Sequence, residues 1–160
     1  MLTRSQVAPL RLIAARLGLP ELEQVALQAG VTETFRLTVK YHDGRHPDQV
    51  ATAVKHQSKA VPSLNVVYRR VNGDALTLEQ PLDLERFRAM IATLKKIGYD
   101  RLDDDKTIDW VNADVWLVER AASAFHHDVI IAPATASGIY ADIVALVTSS
   151  MREAVRAIAS

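Results

Sequence analysis

The 160-residue chain contains no cysteine, which excludes disulfides, thiolate metal sites and a cysteine nucleophile. It also lacks a long apolar run. The longest uncharged one, Ile143 to Met151, falls far short of the roughly 20 residues a membrane helix needs. The arginines spread through "MLTRSQVAPLRLIAARLG" leave no apolar core for a secretory signal, so a cytoplasmic protein without membrane contact is expected. Charge of one sign is missing too: 19 basic side chains balance 19 acidic ones, so no whole-molecule field draws DNA or lipid. Neither a GxSxG elbow, a phosphate-binding P-loop nor a GxGxxG turn occurs, and no cofactor is expected. No repeat or Pro/Gly/Ser-rich linker divides the chain, which points to one domain over residues 1–160.

What is present reads as an α+β protein. With 49% of residues apolar and 24% charged, a substantial core is available. Leu10, Ile13 and Leu17, then Leu22, Val25, Ala26 and Ala29, give two short helical patterns ended by Gly18 and Gly30. In "TFRLTVKY", Phe35, Leu37, Val39 and Tyr41 alternate with Thr34, Arg36, Thr38 and Lys40. That period of two predicts a strand with one apolar face and one wet, basic face.

The stretch "KYHDGRHPDQ" then reads as strand end, turn at Asp43–Gly44 and start of a helix over 47–59, with Pro47 in its first turn. Residues 64–79 read as a hairpin turning near Asn72–Asp74, with Val67, Arg69, Val71, Leu76 and Leu78 on one face. Leu84, Phe87, Met90, Ile91, Leu94 and Ile97 make a helix stripe, capped by Asp83 and stopped by Gly98. Further helices are expected over 113–125 and, in one long apolar run, from Ser137 to the C-terminus, with a strand at "DVIIAP" between them. The architecture expected is a small, mainly antiparallel or mixed sheet, covered on one face by helices, with the long C-terminal helix packed centrally.

Several clusters bear on function. His42 and His46 are four apart, and His126 and His127 form a second group. Imidazoles are common metal ligands, so a small metal-dependent or hydrolytic enzyme could be built on these four. Ser137, opening a helix, would be its nucleophile only if the "FHHD" turn folds back beside it. The competing roles are turn, cap and surface chemistry. The acidic run "DRLDDDKTIDWVNAD" has Asp103, Asp105, Asp109 and Asp114 at calcium-loop positions, but Ile108 stands where the loop needs glycine. A solvated loop is the reading that remains.

The N-terminal helix pair lacks the apolar spacing of a DNA-reading helix-turn-helix and opens its second helix with "PELEQ", two carboxylates where phosphates would lie. Arg36, Lys40, Arg69 and Arg70 belong to a basic middle segment that could hold a single-stranded nucleic acid on a sheet face, although Tyr68 is its one stacking candidate. The leading expectation is a non-catalytic interaction or regulatory module. Tyr140, Val144, Met151 and Val155 widen the apolar surface of the C-terminal helix beyond one contact face, so a homodimer closing through that helix is expected.

Overall fold

The computed structural model describes residues 6–70 and 73–158. Its centre is a six-stranded sheet in the order β4-β3-β2-β1-β5-β6, antiparallel at every pairing. The strands are β1 (Val31–Lys40), β2 (Gln49–His56), β3 (Ser63–Arg69), β4 (Ala75–Pro81), β5 (Val115–Ala122) and β6 (Phe125–Ile131). The helices are α1 (Val7–Arg16), α2 (Leu22–Ala26), α3 (Leu84–Lys96), α4 (Ile139–Ser150) and α5 (Arg152–Val155). No helix among the described residues is long and apolar enough to cross a membrane.

Helices cover both faces of the sheet, not one. On one side Phe35, Leu37 and Val39 of β1, Ala51 and Ala53 of β2 and Val118 of β5 pack on Phe87, Met90 and Leu94 of α3 and on Ile143 and Val147 of α4. On the other, Leu10 of α1 lies on Val115, Leu117 and Ile130, and Leu22, Val25 and Ala26 of α2 lie on Ala121. Each large side chain fully buried this way contributes on the order of 1.5–3 kcal/mol. The consequence for β1 is direct: Thr34, Arg36 and Thr38, expected to be wet, are all buried beneath α1 and α2.

Three helix expectations are corrected. Residues 49–56 form β2; Val50 and Val54 satisfy a period of two as well as four, and the β-branched run suits a strand. Residues 113–125 hold β5 and its turn, not a helix. Val115 to Val118 are buried on both faces of the sheet, so the alternation that marks a strand is missing. The long C-terminal helix stops at Ser150, because Met151 turns out of helical geometry (φ −135°, ψ 61°). Met151 drops its side chain into the core at 2% exposure.

The hairpin register differs as well. Leu76 pairs with Tyr68 and Leu78 with Val66, so the two leucines lie on the face opposite Val67 and Arg69; Val71 lies outside the described residues. α3 is as expected, with Asp83 accepting from the Arg86 N–H at 2.8 Å.

Candidate functional site

The densest chemistry lies between the α1–α2 hairpin and the sheet. Arg11 projects from α1 into a cage of side chains from α2, β5 and β6. Its Nη2 is 2.9 Å from Asp128 Oδ2, 3.4 Å from Glu23 Oε1 and 3.6 Å from Glu119 Oε1, and 3.2 Å from His126 Nε2. Burial alone would lower the Arg11 pKa, but Glu119, Asp128 and Glu23 outweigh it and raise the value. His126 Nε2 also meets Glu23 Oε1 at 2.9 Å and Glu119 Oε1 at 3.4 Å.

Glu23, Glu119 and His126 bring one ligand atom each within 4.8 Å of the others, a spacing that could hold a cation. The Arg11 guanidinium already stands among these atoms, so a metal ion would have to displace it. The arrangement works as the counter-charge of an arginine.

Arg36 lies close by with different company. It is 2% exposed. Its Nε donates to Thr52 Oγ1 at 2.9 Å and its Nη1 to the Pro20 carbonyl at 2.7 Å. Burial holds its pKa below the ordinary value; Glu119 and Glu23 offset this in part, while Arg11 adds to the lowering. Arg36 and Glu119 line a cavity of about 360 Å³ under the hairpin.

The four histidines do not converge. His42 Nδ1 lies 2.7 Å from Asp114 Oδ1, and the His42 N–H donates to the same oxygen at 3.1 Å, pinning the β1–β2 loop to the start of β5. His46 Nδ1 meets the Ile158 carbonyl at 3.0 Å and sets its ring edgewise on Tyr41. His127 points to the opposite face from His126, with Nε2 2.8 Å from the Leu102 carbonyl. "KYHDGRHPDQ" is therefore a turn: Asp43 accepts from the Arg45 N–H at 3.1 Å, Asp48 accepts from the Tyr41 N–H at 2.9 Å, and Pro47 leads into a strand. Neither His126 nor His127 hydrogen-bonds Ser137 among the described residues.

The basic residues do not share an open surface either. Arg36 is covered, and Lys40 is half-buried. Arg69 donates to the Gly73 carbonyl at 2.7 Å and to the Arg16 carbonyl at 2.6 Å, closing the C-terminal end of α1. Arg70 is exposed, and Tyr68 lies on the sheet face opposite Arg69. The helix residues marked for self-association serve the chain's own core. Met151 is buried within it, and Tyr140, Val144 and Val155 pack half-buried against it.

The two edges of the sheet are treated differently. At β6 the Ile130 carbonyl accepts from the Asp105 N–H at 3.0 Å, and the Ile130 N–H donates to Asp104 Oδ1 at 2.9 Å. A loop thus takes up both backbone groups of Ile130 there. At β4, Arg70 N–H bonds the Asp74 carbonyl and Leu82 N–H bonds the Pro62 carbonyl. In the register of this pair, alternation then turns the even-numbered residues toward β3 and the odd-numbered Ala75, Thr77 and Glu79 outward. No described residue takes up their N–H and C=O groups, and Leu78 beside them is 52% exposed. Sequence reasoning missed this edge because strand order is not written in any local pattern. No protein-family model matches the chain, and a search of curated proteins returned no match.

Proposed function

We propose that the protein is a non-catalytic interaction module that self-associates by pairing β4 with β4 of a second copy. The observation that carries this reading is the outward-facing backbone of Ala75, Thr77 and Glu79 beside an exposed leucine. A free edge of this kind is a template for strand addition. Identical edges close by a two-fold axis, the commonest symmetry of homo-oligomers. Each new backbone hydrogen bond contributes about 1 kcal/mol net, and covering Leu76 and Leu78 adds to it. The cytoplasm is the compartment we propose for it, on the cysteine-free composition.

Analytical ultracentrifugation at micromolar concentration tests the reading. The expected species has twice the 17.7 kDa mass of one chain. Thr77→Pro removes an outward N–H that β3 does not use, so the variant should keep its circular dichroism and sediment as a monomer. A wild-type monomer, or a dimer indifferent to Thr77→Pro, overturns the reading.

A further inference from the structure

We propose that the cavity beneath the α1–α2 hairpin binds a small monocarboxylic acid with an apolar tail, its carboxylate on Arg36. The walls supply the tail's environment: Leu12 and Ala15 of α1, Leu19 of the connecting turn and Leu22 of α2 line the cavity, together with the charged Arg11, Glu21, Arg36 and Glu119. At about 360 Å³ it stands at the small end of ligand pockets, which suits an acid of about six to eight carbons.

The floor supplies the recognition. Arg11 and Arg36 are neighbouring cations with opposite endowments. Three carboxylates surround Arg11 within 4 Å, whereas Arg36 meets only the neutral oxygens of Thr52 and Pro20. Among the described residues no carboxylate lies within ion-pair distance of Arg36. Its charge is offset only at longer range, by Glu119 opposite it in the β1–β5 pairing and by Glu23, so an arriving anion in direct contact lowers the cost of burying it. Nε and Nη1 are already committed, which leaves Nη2 as the free edge of the guanidinium where Arg36 lines the cavity. Glu119 shares the floor, but its charge is held by Arg11 at 3.6 Å and by the His126 contact at 3.4 Å. Glu21, the other carboxylate of the lining, is exposed to water, so the buried cation of Arg36 favours an anion over an amine.

Isothermal titration calorimetry with octanoate, hexanoate and the neutral analogue octanol tests the proposal. Octanoate should bind one per chain, and octanol at least about tenfold more weakly, the worth of one charged hydrogen bond. Arg36→Met should lose octanoate binding, and Arg36→Lys should retain part of it. Because Arg36 also ties the Pro20 turn to the sheet, Arg36→Met could unfold the hairpin. Leu12→Trp fills the exposed mouth without touching Arg36, so it should abolish binding while leaving circular dichroism and Tm unchanged. Absence of saturable octanoate binding, equal binding of octanol, or binding that survives Leu12→Trp in the folded variant overturns the proposal.

Discussion

Tyr99 is fully buried, and its hydroxyl donates to the Val118 carbonyl at 2.7 Å and the His127 carbonyl at 3.1 Å. Burial, then the charges of Asp128, Glu119 and Asp100, push its pKa well above the usual phenol value, with Arg120 pulling the other way. The folded state therefore holds the proton more tightly than the unfolded chain. The stability this supplies is fully present below the unfolded value of about 10 and is lost as pH rises from there through the folded value. Tyr99→Phe should cost about 1–2 kcal/mol at pH 8, the worth of a buried hydroxyl with two acceptors. In urea melts the gap between wild type and Tyr99→Phe should narrow once pH passes about 10. A gap of constant size would show that the phenol titrates normally.

At the scale of elements, what was legible depended on whether the signal was local. β1 announced itself by strict alternation, and α3 by a full apolar stripe with its Asp83 cap. β5 did not, and β6 is legible only from Asp128 on, in "DVIIAP", because their hairpin turns through Ser123 at φ 54°, where glycine or asparagine is the usual sign. The Arg11 cage was illegible for another reason: Arg11 and Asp128 are 117 positions apart, and only the packing of a helix on two later strands brings them together. His126 and its neighbour Asp128 stand out in the sequence as a cluster, whereas Arg11, Glu23 and Glu119 do not.

Gly30, between α2 and β1, was legible as a helix stop but not for its tightest constraint. Its φ is +85°, and a Cβ there would stand 2.3 Å from Cε1 of His56. That ring is held by the Ala29 carbonyl at 3.0 Å and Ser58 Oγ at 2.7 Å. Gly30→Ala should thus cost about 2–3 kcal/mol, combining backbone strain with displacement of the ring. Gly18→Ala, at φ +79° with nothing within 4 Å, should cost only about 1 kcal/mol. Adding His56→Ala should restore the steric part in Gly30→Ala, a coupling that a double-mutant cycle in urea reads directly.

For the whole molecule, a loop caps Ile130 at the β6 edge while no described residue caps the outward groups of Ala75, Thr77 and Glu79 at the β4 edge, and charge chooses how two β4 edges would meet. If the two-fold axis passed through Leu78, each Glu79 would oppose Thr77 of the other copy, and the two Glu79 side chains would become diagonal neighbours of like charge. An axis through Thr77 sets each Glu79 opposite Ala75 of the other copy, in line with Arg69, which pairs with Ala75. The same axis lays Leu76 against Leu78 across the seam on both sides. Directly opposed residues in such a ladder have Cα atoms about 5.5 Å apart, within the reach of a disulfide. Because the chain has no cysteine of its own, a single introduced one reports without interference. Thr77→Cys should form a covalent dimer under mild oxidation at micromolar concentration, seen on non-reducing electrophoresis. Glu79→Cys, whose copies would lie about 13 Å apart along the strand direction, should not. Cross-linking of Glu79→Cys but not Thr77→Cys would move the axis, and cross-linking of neither would leave β4 an edge without this partner.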